Sequence, residues 1–90
     1  MKEVIFDSAK IETIDELHTA IAKILKFPGH YGKNLDALYD SLSGELKLPV
    51  RFVWKNYPIT ESRLGSDVEA VLQTMIDFSS EEDGFSLVVL

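Results

Sequence analysis

Two carboxylates and an aromatic residue recur at helical spacing near the middle of the chain. Asp36, Tyr39, Asp40 and Ser43 stand at positions i, i+3, i+4 and i+7, so in a helix they share one face. A helix dipole favours an anion at Asp36 by about 0.3–1 kcal/mol, whereas Asp40 lies one turn further on and is repelled by Asp36. A basic partner would reverse that repulsion, and Tyr39 would add rigid contact area. The pattern indicates a protein-binding face, with an ordinary solvated face as the alternative.

The same two carboxylates could instead form a general acid/base pair, which requires an enclosed site that raises one carboxyl pKa. An exposed helix face gives no enclosure, and 90 residues leave little chain for a substrate cleft. The sequence lacks the motifs of phosphate-binding loops, dinucleotide-binding turns, nucleophile elbows and HExxH zinc sites. We therefore predict no catalytic residue, no metal and no cofactor, and a protein that is not an enzyme.

The two histidines occupy different parts of the sequence. His18 flanks the apolar stripe of a predicted helix, and we interpret it as a partly covered rim residue without a partner to tune it as a base or ligand. His30 lies in a predicted loop beside Tyr31 and Gly32. It is either an ordinary turn residue or part of a binding surface, because supported loops often carry recognition.

Length and charge limit the classes of function. Ninety residues predict a single domain over residues 1–90. Nine Lys and Arg against 15 Asp and Glu give a net charge of −6, which excludes nucleic acid as a partner and favours a basic protein. The longest apolar run, Leu87–Leu90, is too short to cross a membrane, and the N-terminus does not resemble a signal peptide. The absence of cysteine removes one argument for secretion. We expect a cytoplasmic protein, and one that is monomeric when free.

A strand and a helix are predicted before the acidic face. Val4-Ile5-Phe6 is a short β-branched and aromatic run, which favours a buried strand. Thr13-Ile14-Asp15-Glu16 matches a capping box, so a first helix is predicted from about Thr13 to Lys26, ended by Pro28-Gly29.

The helix that carries the acidic face is predicted from its caps. Asn34 is a good N-cap residue, and Gly44 is a good residue to follow the helix end, at C′. The side predicted to be buried comprises Leu35, Leu38 and Leu42.

The second half of the chain predicts two strands around one helix. Residues 50–54 read as a strand, and residues 56–65 as a connection with at most one helical turn after Pro58. A capping box over 66–69 predicts a helix that frays over 79–84, and 85–90 predicts a strand covered on both faces. The residues of this helix that are predicted to face inward are Val68, Val71, Leu72, Met75 and Phe78. The order of strands and helices predicts an α/β domain with parallel strands and right-handed crossovers.

Residues 31–42, with Gly44 following, read Y-G-K-N-L-D-A-L-Y-D-S-L. This run resembles the barstar family of ribonuclease inhibitors, whose signature is Y-G-x-N-L-D-A-L-[WY]-D-x-L. The resemblance extends over nearly the whole chain, with a small insertion near Glu82-Asp83. It implies a three-stranded parallel sheet packed with three or four helices. It also implies inhibition of a basic, extracellular, barnase-like ribonuclease, whose active site would be blocked by the second helix and the loop before it.

The resemblance also implies which residues bind the partner. Asp40 corresponds to the family's central carboxylate, which occupies a phosphate site among arginine and histidine side chains of the nuclease. The other implied contacts are His30, Tyr31, Asn34, Leu35, Asp36, Tyr39, Ser43, Gly44 and, as a peripheral acid, Asp77. Lys33 and Glu45 stand where the best-known member has an acid and an aromatic residue. Because of these departures, an alternative function stays open: the chain could be an immunity protein, or an anion-mimicking regulator, for a different basic toxin or nucleic-acid-binding protein.

Overall fold

The computed structural model describes residues 1–90 as a three-stranded parallel sheet and four helices, which confirms the predicted α/β fold class. The elements in chain order are β1 (Lys2–Asp7), α1 (Ile14–Ile24), α2 (Leu35–Gly44), β2 (Val50–Lys55), α3 (Tyr57–Leu64), α4 (Ser66–Glu81) and β3 (Phe85–Val89). None of the four helices combines the length and the apolar character needed to span a membrane.

The core of the protein lies on one face of the sheet. β2 lies in the centre and pairs in parallel with β1 and β3, so that Val4 lies beside Phe52, and Phe52 beside Leu87. Val4 and Phe52 belong to a core cluster of 17 buried residues that includes side chains from α1, α2 and α4. Val53 points to the opposite face of β2, and although it is buried it lies outside that cluster.

The prediction that β3 is covered on both faces is wrong. Phe85 is buried, but the next three residues are half-buried and Val89 is 39% exposed. β3 is an edge strand, and on the face of the sheet away from the core Ile5 is 52% exposed and Val88 is half-buried. A run of apolar residues therefore occurs here in an edge strand with one buried face. The sequence pattern alone does not distinguish such a strand from one that is covered on both faces.

Strand β1 and helix α1 lie where predicted. β1 extends beyond the predicted three residues on both sides. The α1 capping box is present, because the Glu16 N–H donates to Thr13 Oγ1 at 3.1 Å, although the Glu16 carboxylate accepts from the Glu12 N–H at 3.2 Å. The helix ends at Ile24, two residues before the predicted end, and Lys26 beyond it has a left-handed backbone with φ 61°.

Helix α3 replaces the predicted connection over residues 56–65. Pro58 lies in its first turn, where a missing N–H costs nothing. Tyr57 and Thr60 are buried, so tertiary packing stabilises eight residues whose own apolar pattern is weak.

Three buried polar side chains join α3 to the ends of β1 and β2. The Trp54 indole Nε1 donates to Ser8 Oγ at 2.7 Å, and that oxygen lies 2.5 Å from Thr60 Oγ1. The Thr60 hydroxyl also reaches the Ser8 carbonyl at 2.8 Å. We call Ser8, Trp54 and Thr60 the polar junction, and all three are fully buried.

Helix α4 starts and ends differently from the prediction. Ser66 is already helical, Gly65 is the N-cap with φ 58°, and no side chain caps the helix, so the predicted capping box is wrong. The chain passes from α3 to α4 through Gly65 alone, which leaves no extended residue to act as a serine cap. The helix also continues to Glu81 rather than fraying from residue 79. Of the predicted inward residues, Leu72 is only half-buried and the other four are buried.

Candidate functional site: an acidic helix face and its preceding loop

Helix α2 turns its acidic face to solvent. The Asn34 side chain caps the helix by accepting the Ala37 N–H at 2.7 Å, which confirms the predicted start. Leu38 and Leu42 are fully buried, and α2 packs against α4. Asp36 and Asp40, on the other side of the helix, are exposed.

Two predictions about the ends of α2 are wrong. Leu35 is 40% exposed instead of buried, because it is the first residue of the helix and lies beyond the end of the buried stripe formed by Leu38 and Leu42. Gly44 is the last helical residue rather than C′, and Glu45 is the C-cap with φ −112°. Gly44 has no positive φ, so no glycine is required there by backbone conformation.

The carboxylates of Asp36 and Asp40 have no partner within the chain. The two salt bridges of the structure join Lys33 to Asp15 and Arg51 to Glu3. The Asp40 carboxylate makes no internal hydrogen bond, and the one side chain that bonds to this residue is Ser43, whose Oγ donates to the Asp40 backbone carbonyl at 3.2 Å. Two free carboxylates one turn apart can accept several charge-assisted hydrogen bonds from a cationic partner.

The loop before α2 is held close to the first turn of the helix. A Cβ atom on Gly32 would lie 3.2 Å from the Ala37 Cβ, so this close approach favours glycine. The Gly32 carbonyl accepts a hydrogen bond from Asn34 Nδ2 at 3.3 Å. Lys33 has φ 52° and reaches back to Asp15 on α1 at 3.4 Å. The loop is therefore tied to both α1 and α2.

Tyr31 anchors this loop through His18, which corrects the prediction that His18 is a rim residue without a partner. His18 is 4% exposed, and its Nδ1 lies 2.7 Å from the Tyr31 hydroxyl. Burial raises the pKa of Tyr31 to about 12. Burial also lowers the pKa of His18 below 6.5; Asp15 opposes that shift and Lys33 adds to it. The ring of Tyr31 packs on Phe27 at 5.6 Å between centroids.

A shallow pocket brings the loop and the acidic face together. Its volume is about 230 Å³, and His30, Tyr31, Asp40 and Glu45 are among its lining residues. His30 is exposed, so its ring is accessible at the mouth of this pocket. Ser43 is exposed nearby, but its hydroxyl is bonded to the carbonyl of Tyr39 at 3.0 Å.

Tyr39 connects the acidic face to helix α4. Its hydroxyl donates to the Glu81 carboxylate, and its ring stands edge-on to Phe78 at 6.0 Å between centroids. The hydrogen bond to Glu81 raises the pKa of Tyr39, with smaller contributions from desolvation and from the charges of Glu81 and Asp77. Asp77 is exposed and accepts a hydrogen bond from Gln73 Nε2 at 2.9 Å.

The site is larger than the sequence pattern indicated. We call the following exposed carboxylates the acidic surface: Asp36, Asp40, Glu45, Asp77 and Glu81. Glu45 and Glu81 were missed as candidate site residues. The spacing of Asp77 and Glu81, four residues apart on a predicted helix, was a signal that could have found Glu81. No three His, Cys, Asp or Glu residues lie in an arrangement that could hold a metal ion.

Two comparisons relate the chain to known proteins. A sequence model of the family described as Barstar (barnase inhibitor) matches residues 1–90. A protein of Bacillus subtilis (strain 168) named "Putative ribonuclease inhibitor YrdF" is 37% identical over 90 residues, covering 99% of this chain and 99% of its own length.

Proposed function

This chain belongs to the barstar family of ribonuclease inhibitors, and on that premise we propose that it blocks the active site of a basic, barnase-like ribonuclease. Helix α2 and the loop before it would enter the nuclease cleft. Asp40 would stand where a phosphate of the RNA substrate otherwise binds. The inhibitor itself catalyses nothing.

The observation that carries this proposal is the free carboxylate of Asp40. It is exposed, it has no hydrogen-bond or salt-bridge partner within the chain, and it lines the pocket between loop and helix. A carboxylate and a phosphate oxygen accept the same short, often bidentate hydrogen bonds from arginine. Asp40 can therefore imitate the substrate without carrying a bond that the nuclease could cleave.

The surroundings of Asp40 support the same mechanism. The acidic surface adds four further carboxylates around it, in a chain whose net charge is −6. Such a field complements a nuclease cleft that must attract RNA, and complementary fields accelerate encounter. His30 at the pocket mouth adds an exposed ring that can pack against the nuclease.

The proposed setting is the cytoplasm, where the inhibitor acts as a monomer and protects the RNA of the cell that makes the nuclease. Cell fractionation with an antibody against the chain, and gel filtration of the free protein, would test these two points. Recovery in the medium, or elution as a dimer, would contradict them.

Glu45 supports a second candidate, a basic toxin other than a barnase-like ribonuclease. This carboxylate lines the same pocket as Asp40, so the pocket contains two acids. Lys33 adds no free cation there, because it pairs with Asp15. A partner with an additional cation opposite Glu45 would fit this pocket better than one that presents an apolar surface.

A titration of ribonuclease activity with the folded protein tests both candidates. We expect stoichiometric loss of RNA cleavage with a barnase-like enzyme, or with a small basic ribonuclease encoded beside this gene. Inhibition of neither, together with capture of a different basic protein from the source cells, would favour the second candidate. If neither ribonuclease is inhibited and no basic protein is captured, both candidates are contradicted.

A further inference from the structure

The largest cavity of the molecule lies away from the loop and the acidic stripe of α2. Its volume is about 410 Å³, and it opens beside the start of β1, the end of α1 and the segment that follows α2. We call it the basal pocket. Volumes of this size are typical of sites for small molecules, which run from about 300 to 1,000 Å³.

The walls of the basal pocket are apolar. Val4, Leu25 and Val50 are buried core residues whose surfaces form part of it, and Ile24 and Leu46 are half-buried beside them. An alkyl group bound here would be transferred from water to an apolar surface that is already present in the folded protein. Each methylene that becomes fully buried should strengthen binding by roughly four-fold.

The rim of the basal pocket is basic although the protein is acidic. Lys2, Lys26 and Lys47 line it, which is three of the nine cations of the whole chain. None of the three is in a salt bridge. Glu45 is the one acidic lining residue, so the lining carries an excess of two positive charges.

Lys26 stands in a backbone conformation that favours glycine. It follows α1 with φ 61°, a region that costs a residue with a side chain more than it costs glycine. This lysine offers a useful test, since its replacement by glycine removes one cation from the rim and relieves the backbone at once.

We propose that the basal pocket binds a small anionic amphiphile, a molecule with one carboxylate head and an unbranched alkyl body. The three lysines hold the head, and the apolar walls take the body. This combination distinguishes the site from the carboxylates of Asp36 and Asp40 on α2, which repel anions, although Glu45 lines the pockets on both sides. The proposal does not depend on inhibition of a ribonuclease, and its test contains no ribonuclease.

Octanoate is the probe, with octanol and octyltrimethylammonium as neutral and cationic molecules of the same chain length. Calorimetric titration of the full chain should show saturable binding of octanoate, with octanol bound about ten-fold more weakly and the cation not at all. Hexanoate should bind roughly four-fold more weakly for each methylene removed. Amide NMR signals of Ile24, Leu46 and Val50 should shift, and that of Asp40 should not.

Three variants separate the pocket from general electrostatics. Lys26→Gly and Lys47→Gln should each weaken octanoate binding several-fold, and Lys26→Gly should unfold at the same temperature as the unmodified chain or higher. Lys10→Gln removes the same charge from outside the basal pocket and should leave binding unchanged. Equal weakening by Lys10→Gln, no dependence on chain length, or no saturable binding would each overturn the proposal.

A membrane surface presents anionic head groups on alkyl chains as well, so a second arm distinguishes it from a free amphiphile. Vesicles of mixed phosphatidylglycerol and phosphatidylcholine should not co-sediment with the protein, because a net charge of −6 is repelled by an extended anionic surface. Co-sedimentation that is lost in Lys47→Gln would replace the free amphiphile by the membrane lipid and contradict the proposal as stated.

Discussion

The acidic surface and the polar junction use their polar groups in opposite ways. In the junction, Ser8, Trp54 and Thr60 are fully buried and each bonds to another within the chain. On α2, the carboxylates of Asp36 and Asp40 are exposed and have no partner within the chain. A satisfied buried group stabilises the fold, whereas a free charge on a rigid helix costs the fold little and remains available to a partner.

The Tyr31–His18 pair combines features of both regions. Like the junction it is a polar contact within the chain, but only His18 is buried while Tyr31 is half-buried, and it anchors the loop that lies beside Asp40. Rigid support beneath exposed charges reduces the conformational entropy that binding must overcome. The contrast between the two regions can therefore be tested by variants that change either inhibition or folding but not both.

Truncation of Asp40 should give the largest difference between binding and folding. Loss of one partner from a buried, hydrogen-bonded charge pair typically costs 2–5 kcal/mol, or roughly thirty-fold to several-thousand-fold in affinity. That range draws partly on the barnase–barstar complex, so it is not independent of this family. Inhibition titrations of Asp40→Ala should show this loss. The unfolding temperature of the free variant should equal that of the unmodified chain or lie slightly above it.

Glu69→Ala is the matched control for Asp40→Ala. Glu69 is exposed on α4 and lies outside the acidic surface. The control should inhibit like the unmodified chain. If Asp40→Ala inhibits as tightly as the control, or unfolds well below it, Asp40 is a structural residue and the phosphate-mimic mechanism is wrong.

Salt should slow association with the ribonuclease by about ten-fold or more between roughly 0.01 and 1 M ionic strength. Over that range the Debye length falls from about 30 Å to 3 Å, which screens the long-range attraction of the acidic surface. Dissociation should change less, because desolvated contacts are screened less. Stopped-flow mixing measures both rates, and an association rate that does not respond to salt would contradict electrostatic steering.

Thr60→Val should destabilise the fold by about 1–3 kcal/mol without changing the affinity of the folded inhibitor. The substitution keeps the side-chain shape, but it leaves the buried Ser8 carbonyl and hydroxyl short of a partner. Urea unfolding measures the loss. Ser62→Ala, on the exposed side of α3, is the control and should be nearly neutral. Equal stability of both variants would show that the junction is not a stabilising contact.

Acidification should destabilise the free protein through His18. Burial lowers the pKa of His18 in the folded protein below the value of 6.5 that it has in the unfolded chain. Between the folded pKa and pH 6.5, the unfolded chain therefore binds more protons than the folded protein. This contribution to the free energy of unfolding is fully present above pH 6.5, decreases as the pH falls toward the folded pKa, and is constant below it. Unfolding curves of His18→Gln should lack this component. An equal pH dependence in that variant would assign the effect to other groups.

Asp36→Asn and Asp40→Asn should differ in the stability of the free protein by only about 0.3–1 kcal/mol. Both variants remove the same repulsion between the two carboxylates, so that contribution cancels in the comparison. What remains is the favourable interaction of Asp36 with the helix N-terminus, which makes Asp36→Asn the less stable variant. Thermal unfolding of the pair at low salt measures the difference, and the reverse order would contradict a dipole contribution at Asp36.

Much of the fold followed from local signals that act over a few residues. The caps at Thr13 and Asn34 predicted where α1 and α2 begin, and the branched residues of β2 predicted that strand to within one residue. The position of β1 was predicted as well, although the strand is twice as long as expected. The errors lie where neighbours in space decide the outcome. Helix α3 depends on the burial of Tyr57 and Thr60, and the serine cap of α4 is absent because α3 ends immediately before it.

The features of the candidate site also fall into those that local spacing predicts and those that depend on contacts between distant parts of the chain. The spacing of Asp36, Tyr39 and Asp40 was sufficient to predict a shared face, because helix geometry places i, i+3 and i+4 together. The contacts of His18 with Tyr31 and of Tyr39 with Glu81 were not predictable. They join residues 13 and 42 positions apart in the chain, and no periodic pattern records such a pair.

By itself, therefore, the sequence determined the family, the elements that begin with a cap, and the helix face that carries the free carboxylates. Those properties depend on residue type and on spacing within one helix or strand. The tertiary structure alone decided that His18 is buried against the binding loop, that Glu45 and Glu81 extend the acidic surface, and that three lysines meet around the basal pocket. These depend on how separate elements pack, since packing brings together side chains that are distant along the chain.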